Sequence, residues 1–370
     1  MAEFDGELSM PDSRPAHNNI RILFTGENWH GSNAASCRRA FRALGCDVLD
    51  IDEYHFFPQW ESIRLKILRR LVRPLIADEF SMHVERQFKR FQPHLVFVFK
   101  GSMLRRHTLE NLRKTGTPIF NFYPDVDLVN HHRFWGNDFL TSAPFYTCIF
   151  TPKSYQVKPL LDAGAPRVEF LPYAYDPWCH YPVCSTPEEK QMFASDIAFI
   201  GTWGKRRAEA LETLVSRDFP YKLAIWGNQW ERLSPSSPLR KFVRFKPATG
   251  ATQAKVFGNT KIALAFLSLP DLHTARSFEI PAFGVLMLAE RSAEHILFFE
   301  ENREIACFEG VHELRDKLDY YLTHAAERQA IAQAGYEKVK GGHSYIDRMR
   351  DVLKVYGEIA ERRGPAKAAA

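Results

Sequence analysis

The chain has 370 residues, of which 45% are hydrophobic and 13% aromatic, which is the composition of a globular protein with sizeable cores. Because single cores rarely grow past about 250–300 residues, this length favours two domains over one. The formal charge of +5 is only mildly basic, so it suits an anionic ligand or membrane surface but does not by itself indicate nucleic acid. The sequence shows no secretory-signal pattern and no run near the roughly 20 apolar residues of a membrane span.

The six cysteines are scattered, without a C-x-x-C pair or the spacing of metal ligands. This pattern predicts reduced thiols in a cytoplasmic protein, and it disfavours a disulfide framework or a zinc site. The polar, proline-containing segment Met1–Asn18 and the tail Gly364–Ala370 are predicted to be disordered.

The first half alternates strand and helix patterns. An apolar strand at Ile20–Thr25, a helix at Ala34–Leu44 stopped by Gly45 and a strand at Asp47–Ile51 form a β-α-β unit. The pattern then continues through Leu95–Phe99 (strand), Leu104–Lys114 (helix), Pro118–Phe122 (strand), Cys148–Phe150 (strand), Lys153–Asp162 (helix) and Val168–Leu171 (strand).

The segment Pro172–Pro187 is rich in proline and aromatic residues and predicts the crossing between two domains. A second alternating series follows, with strands at Ile197–Ile200, Leu223–Trp226, Ile262–Phe266 and Val285–Leu288 and helices at Arg207–Ser216, Thr252–Phe257 and Ala275–Ala282. Two such series predict two doubly wound α/β domains. A final helix near Tyr345–Arg362 is expected to pack back on the first domain.

A strand that runs through glycine into a basic helix start opens the second half. Backbone N–H groups at such a helix start suit a phosphate, and Gly201, Thr202, Lys205 and Arg206 are the candidates here. The alternative is a solvated basic helix start after an ordinary glycine turn. The pattern is neither G-x-G-x-x-G nor a P-loop.

A second candidate lies in the segment 271–284, which follows a strand and so belongs at the carboxyl edge of a sheet, where open α/β folds bind ligands. Arg276 and Glu279 are three residues apart and share a helix face. There the arginine can meet a diphosphate and the glutamate can accept hydrogen bonds from ribose hydroxyls. An isolated surface Arg–Glu pair, which is worth little, is the alternative interpretation.

Together with Glu304 and the segments 334–339 and 343–345, the run from Arg276 to Gly284 resembles the C-terminal half of family-1/family-4-like glycosyltransferases, most closely the branch with spore-maturation-type proteins. The resemblance covers roughly residues 145–350. It implies the GT-B fold, in which two Rossmann-like doubly wound domains face a cleft and a C-terminal helix packs back on the N-terminal domain. The expected organisation is a disordered N-terminus (1–18), an acceptor domain (19–175), a nucleotide-sugar donor domain (176–342), a crossing helix (343–363) and a tail (364–370).

The resemblance also implies roles for individual residues. Glu279 would be the second member of the family's Glu-x7-Glu signature and contact the donor ribose. The first member falls on Asp271, where many relatives have glutamate, and His273 joins the predicted donor-binding set. Residues 201–206 look like the family's diphosphate-binding turn.

Two loops of the first half are further candidates. In the loop 26–33, Gly31 and Ser32 would approach donor or acceptor closely, unless it is a plain connecting loop. Asp125, in an Asp-x-Asp element with Asp127, is interpreted as a base for the acceptor hydroxyl or a ligand to it. A divalent-metal site and an ordinary surface loop are the alternatives for this element. Competing candidates for the base are His30, His131 and His132.

The segment Ile63–Arg73 has apolar residues at helical spacing with five cationic residues around them. Such a helix can lie on an anionic bilayer, or it can pack on its own core with a solvated basic face. The membrane interpretation would place the protein on the inner face of the membrane, with a lipid-linked or cell-surface glycan acceptor.

The sequence therefore predicts a cytoplasmic glycosyltransferase that uses a nucleotide-diphosphate sugar and needs no cofactor or metal. The acceptor is a glycan, a lipid-linked molecule or a small molecule, and the Glu-x7-Glu-like element leans towards retention of anomeric configuration. A sugar-nucleotide epimerase and an inactive nucleotide-sugar-binding protein of the same fold are the rivals. Nucleic acid is not an expected partner, since no recognition motif appears.

Overall fold

The computed structural model describes residues 19–29, 31–56, 63–126, 128, 139–216, 218–268, 270 and 272–363, with the backbone alone at 63–71 and 363. The chain divides into two compact units, Met1–Phe170 with Met349–Ala370, and Leu171–Arg348. No helix within the described part is long and apolar enough to cross a membrane.

The first unit is built on a six-stranded parallel sheet with the order β2-β1-β3-β4-β5-β6. Its strands are β1 (Arg21–Gly26), β2 (Asp47–Asp52), β3 (Leu95–Phe99), β4 (Ile119–Phe122), β5 (Cys148–Thr151) and β6 (Val168–Phe170). Its helices before the second unit are α1 (Asn33–Ala43), α2 (Ile63–Phe91), α3 (Arg106–Lys114), α4 (Phe139–Ser142) and α5 (Val157–Asp162). The strand β3 is buried along its whole length, as expected where helices cover both faces of a parallel sheet.

The second unit has a five-stranded parallel sheet with the order β11-β10-β9-β7-β8. Its strands are β7 (Ser195–Ile200), β8 (Leu223–Trp226), β9 (Thr260–Ala265), β10 (Leu286–Glu290) and β11 (Ala306–Phe308). Its helices are α6 (Pro187–Phe193), α7 (Lys205–Val215), α8 (Ala251–Gly258), α9 (Arg276–Ala282), α10 (Ala293–Phe298), α11 (Gly310–Thr323) and α12 (Ala325–Lys340). Apolar residues fill two cores, one on each face of this sheet.

A last helix, α13 (Tyr345–Arg363), begins in the second unit and belongs to the first from Met349 onward. Within the first unit Arg167 donates from Nη1 to Glu358 Oε2 at 3.0 Å, which fixes this helix beside β6. The predicted fold class, two doubly wound parallel sheets with a returning C-terminal helix, is confirmed.

Strand order in each sheet reverses direction at one point, between β1 and β3 in the first unit and between β7 and β9 in the second. At such a point the connections leave in opposite directions, so the loops after the two strands part and leave a crevice. The loops that follow β1, β3, β7 and β9 are therefore where each unit is built to receive a ligand.

Candidate functional site

The turn after β7 is fixed by backbone and indole hydrogen bonds. The N–H of Gly201 donates to Trp226 O at 2.9 Å, and the carbonyl of Gly201 accepts from Trp230 Nε1 at 2.9 Å. On the neighbouring strand Gly227 has φ +142°, and a Cβ there would lie 1.9 Å from Gly201 O. The backbones of two loops therefore pass closer together than a side chain would allow.

The helix α7 starts four residues after this turn, with Gly204 as its N-cap. Because glycine has no side chain to cap the helix, the first-turn N–H groups receive no hydrogen bond from the cap residue. Thr202 and Lys205 are exposed at this point, and the Lys205 side chain is 83% exposed with Glu209 3.9 Å away. An anion at this helix start would meet open N–H groups and an accessible ammonium group.

Arg206 is engaged differently from Lys205. Its guanidinium forms a two-pronged ion pair with Glu290, the last residue of β10, and its Nη2 also donates to Leu267 O at 2.8 Å. The adjacent Arg207 donates to Ser268 Oγ at 3.1 Å, and burial lowers the pKa of its guanidinium. Both arginines thus connect the start of α7 to the loop after β9, across the switch point of the sheet.

A polar triplet lies on the other side of the same switch point, with two buried side chains, Glu279 and Gln253, and the partly exposed Arg276. Glu279 is 4% exposed and accepts hydrogen bonds from Arg276 and from Gln253 Nε2, the latter at 2.9 Å. Arg276 also donates from Nε to Ile200 O at 3.3 Å, so its guanidinium lies at the end of β7. Burial lowers the pKa of Arg276 to about 10, which leaves the side chain cationic at neutral pH. The sequence prediction paired Arg276 with Glu279, and the structure brings them into contact.

His273 is buried at 1% exposure, and its two ring nitrogens have protein partners. Nδ1 contacts the carboxylate of Glu294, and Nε2 accepts from the N–H of Tyr173 at 3.3 Å. The imidazole therefore joins two segments of the second unit. Asp271, the other predicted donor contact in this loop, lies outside the described residues.

In the first unit, the loops after β3 and β4 meet through an ion pair. Lys100 Nζ lies 2.8 Å from Asp125 Oδ2, and Gln156 Nε2 donates to the backbone carbonyl of Asp125 at 2.7 Å. Asp125 is half-buried at the carboxyl edge of the sheet. Of the other candidates near it, Asp127, His30, His131 and His132 lie outside the described residues.

Gly31 and Ser32 end the loop after β1. Gly31 has φ +91°, and the buried Ser32 caps α1 by accepting from Ala35 N at 3.1 Å. Ser32 Oγ also donates to Glu27 O at 3.1 Å. This serine therefore has a structural role in shaping the loop.

Two acidic residues at this edge were not identified from the sequence. Burial raises the pKa of Glu27, and that of Glu53 to about 8, while Lys100 acts on both in the opposite direction. Glu27 follows the predicted strand β1 and Glu53 follows β2. Their position at the strand ends could therefore have identified them as candidates from the sequence. Arg207 and Gln253 were likewise overlooked; the first adjoins Arg206, and the second carries no motif.

The Asp-x-Asp element, Asp125 with Asp127, was one predicted alternative for a divalent-metal site. Within the described ranges no group of three or more histidine, cysteine or carboxylate side chains is placed to hold a metal ion. The positive charges described above at the sheet edge of the second unit belong to arginine and lysine side chains.

Comparison with known proteins identifies the second half of the chain. Residues 206–354 match the family model described as "Glycosyl transferase-like", and this match contains the Arg276–Glu279 pair. The C-terminal half of the chain is therefore similar to glycosyl transferase-like proteins. The matched segment is less than half of the chain, and the sequence has no significant match among curated proteins.

Solved structures of the same fold cover almost the whole chain. Sucrose-phosphate synthase from Thermosynechococcus elongatus superposes with a TM-score of 0.68 at 12% identity, over 93% of this chain and 100% of that one. Anabaena Alr3699/HepE in complex with UDP-glucose gives 0.59 at 8% identity, over 92% and 100%. A Listeria monocytogenes protein described as a UDP-N-acetylglucosamine 2-epimerase gives 0.52 at 11% identity, over 92% and 97%. The glycosyl transferase-like half thus belongs to a chain with the GT-B architecture.

Proposed function

We propose that this glycosyl transferase-like protein moves a sugar from a nucleotide-diphosphate sugar to an acceptor hydroxyl. The observation that carries the proposal is the Arg276–Glu279 pair with Gln253, which lies at the switch point of the second sheet beside the open start of α7. In this arrangement Glu279 accepts from the ribose hydroxyls and Arg276 faces the diphosphate. The neighbours solved with UDP-glucose support a uridine nucleotide as the first candidate.

The remaining predicted donor-binding residues differ in how directly they would contact the donor. Lys205 and the first-turn N–H groups of α7, after Gly201 and Thr202, offer the accessible positive charge for the diphosphate. Arg206 and Arg207 add charge at the same end of the sheet while bonded to the protein. His273 acts as a positioning residue through Glu294 and Tyr173. Asp271 is proposed to contact the donor sugar, on the family resemblance alone.

The chemistry follows from where charge develops. As the glycosidic bond to the nucleotide breaks, negative charge grows on the departing diphosphate, and fixed cations and N–H dipoles stabilise it without reorganisation. The proposal therefore includes transfer without a divalent metal ion. Asp125 in the first unit is the proposed acceptor for the proton of the attacking hydroxyl, or a hydrogen-bond partner to it.

Analysis of the product can establish the stereochemistry of transfer and can distinguish a transferase from the two alternative functions, an epimerase and an inactive binding protein. The Glu-x7-Glu-like spacing of residues 271 and 279 supports retention, which proton NMR of the newly formed anomeric centre would establish. An epimerase would convert the nucleotide sugar without an acceptor, and an inactive binding protein would leave the donor intact. Formation of a glycoside that depends on acceptor excludes both rivals.

The decisive experiment is a thermal-shift series with UDP, GDP, ADP, TDP and CMP, each with and without magnesium. A ligand that binds the native state raises the melting temperature, by mass action. We expect one nucleoside diphosphate to raise it regardless of magnesium, and Glu279→Gln to abolish the shift. Glu337→Gln, which changes an exposed glutamate of the same unit, serves as the control and should behave as wild type. A wild-type protein that responds to none of these nucleotides would contradict the proposal.

We also propose that the beginning of α2, the cationic segment Ile63–Arg73, attaches a cytoplasmic protein to the inner face of the membrane. The support is that this segment opens a helix, as the sequence predicted. Cosedimentation with vesicles of phosphatidylglycerol and phosphatidylcholine tests it, with Arg69→Glu/Arg70→Glu against Arg86→Glu near the other end of the helix. Equal binding by all three proteins would refute membrane attachment. Binding lost only in the double variant would favour a lipid-linked acceptor.

A further inference from the structure

Two large aromatic side chains are exposed at the carboxyl edge of the first sheet, where the proposed donor chemistry gives them no role. Trp29 follows β1 and Tyr54 follows β2, and these side chains are 40% and 46% exposed. The two strands are direct neighbours in the sheet, in register along their whole length. Exposed tryptophan and tyrosine present a flat apolar face together with a polar atom, a combination enriched where proteins bind ligands.

A single carboxylate oxygen holds the two aromatic loops together. Asp52 Oδ1 accepts from the N–H of Asn28 at 3.1 Å and from the N–H of Tyr54 at 2.9 Å. Asn28 is fixed further by its side chain, which donates to Asp50 Oδ2 at 3.2 Å and accepts from Arg38. Both aromatic residues therefore rest on backbone that is already ordered, so a ligand would not have to order it.

Hydrogen-bonding groups lie next to the aromatic rings. The side chain of Trp29 lies close enough to the carboxylate of Glu27 to act against the rise in its pKa, and the charges of Glu27 and Lys100 both act on the hydroxyl of Tyr54. Glu27 is half-buried, and this partial withdrawal from water raises the pKa of its carboxyl group. The site thus offers a carboxylate acceptor and an ammonium donor beside two apolar ring faces.

Polar atoms without partners lie one layer below. Thr25 and Asn121 are fully buried, and Thr25 Oγ1 and Asn121 Oδ1 have no hydrogen-bond partner in the described part of the chain. Val98 pairs with both residues in the sheet register, so all three side chains stand on one face of the sheet. Glu27 and Lys100 follow two positions after Thr25 and Val98, just beyond the ends of the two strands. Buried polar atoms in native proteins are normally satisfied, so bound water is the expected partner of these two.

From these observations we infer that Trp29 and Tyr54 form a platform for a sugar ring, and that the acceptor in the proposed reaction is a carbohydrate. The claim that this sugar is the acceptor rests on the proposed function, whereas the claim that the site binds a sugar does not. A pyranose presents C–H groups on a face and hydroxyls around its rim. The aromatic rings cover that face, while Glu27 and Lys100 bond the rim.

The chemistry of the site selects against other occupants. An acyl chain would cover Glu27 and Lys100 without giving them hydrogen bonds, which costs free energy for each group. A polyanion would meet the carboxylates of Glu27, Asp52 and Asp125, and among the residues that the structure describes here Lys100 offers an ammonium group against them. The site therefore suits a neutral or amino sugar.

Saturation-transfer NMR with a panel of methyl glycosides tests the platform without a donor. The panel holds the α and β methyl glycosides of glucose, galactose, mannose, N-acetylglucosamine and glucosamine, with maltose and lactose. We expect transfer from the protein to ring C–H protons of at least one sugar. Trp29→Ala should weaken that binding by about threefold to tenfold, the size of one aromatic contact. Trp178→Ala, which removes a tryptophan of similar exposure (37%) in the second unit, should leave it unchanged.

Each result bears on one proposal. No transfer to any sugar, or transfer that Trp29→Ala leaves unchanged in a protein of wild-type melting temperature, overturns the platform. UDP binding is measured on the same samples. A sugar signal without a nucleotide response keeps the platform and defeats the transferase proposal, whereas a nucleotide response without a sugar signal does the reverse. Tyr54→Ala provides a second variant if Trp29→Ala does not fold.

Discussion

Lys100 and Asp125 form an ion pair at the ends of two neighbouring strands, with Nζ and Oδ2 2.8 Å apart. Asp125 lies at the carboxyl edge of the first sheet, where its carboxylate can accept a hydrogen bond from a hydroxyl. We expect Asp125→Asn to lower kcat by about 100-fold or more while the Kd for the nucleotide stays within about twofold, because a general base contributes at least that much. Initial rates and nucleotide titrations measure the two effects separately.

A matched control for this substitution is Asp162→Asn. Asp162 also pairs with a lysine of the first unit, Lys158, at 2.8 Å, and it lies at the C-terminal end of α5, before β6 begins. A similar loss of kcat in both variants would remove Asp125 from the reaction.

Arg207 and Lys205 predict contrasting effects on nucleotide binding. Arg207 is partly buried and bonded to Ser268, whereas Lys205 extends into solvent. Because charged contacts are stronger away from water, we expect Arg207→Ala to raise the Kd for the nucleoside diphosphate by about tenfold and Lys205→Ala by less than about threefold. Calorimetric titration at two salt concentrations would measure these Kd values. The effect of Lys205→Ala on the Kd should depend more strongly on salt than the effect of Arg207→Ala. Equal effects would mean that Arg207 serves only the loop after β9.

The order of strands and helices could be predicted from the sequence because each buried strand is a continuous apolar run. Leu95–Phe99 and Ile197–Ile200 are clear examples, and the glycine stop at Gly45 marks the end of α1 as expected. The full length of α2 was not predicted beyond residue 73. Its continuation contains Pro74 and many charged residues, which hid the apolar residues Ile76, Phe80 and Val84 that recur one helical turn apart and pack into the core.

The candidate site was predictable only where it carries a motif. The Arg276–Glu279 pair is local, three residues apart, so a helix face sufficed to find it. The partners of these residues come from distant segments: Gln253 is 26 residues from Glu279, and Glu290 is 84 residues from Arg206. Such pairings depend on strand order, which one sequence does not reveal.

His273 and Glu294 should be important for the stability of the second unit. The imidazole is buried between the Glu294 carboxylate and the Tyr173 N–H, so His273→Ala leaves a buried carboxylate without this contact. We expect a loss of about 3 kcal/mol in the free energy of unfolding, from urea titration followed by circular dichroism. His55→Ala, at a side chain that is 83% exposed, is the comparison and should change it by less than about 0.5 kcal/mol. A loss below about 1 kcal/mol at His273 would contradict the prediction.

Glu53 predicts a pH dependence of stability in the first unit. Burial raises its pKa from 4.5 to about 8 in the folded protein, so the folded state binds this proton more tightly than the unfolded state does. Its contribution to stability is complete below about pH 4.5 and declines as the pH rises towards 8. Glu53→Gln should therefore flatten the decline between these values in urea titrations across pH. Glu110→Gln, an exposed pair partner of Arg106, should not alter it, and an unchanged slope in Glu53→Gln would rule out this carboxyl as the cause.

The contact between Gly227 and the Gly201 carbonyl restricts which amino acids position 227 can hold. A methyl group at 227 would overlap that oxygen, and the backbone there adopts a conformation that other residues rarely reach. Any other amino acid at this position must displace the turn at Gly201. That turn leads to the start of α7, at the proposed ligand-binding edge of the second unit. In a library of all single substitutions, position 227 should accept glycine alone, although it touches no proposed substrate.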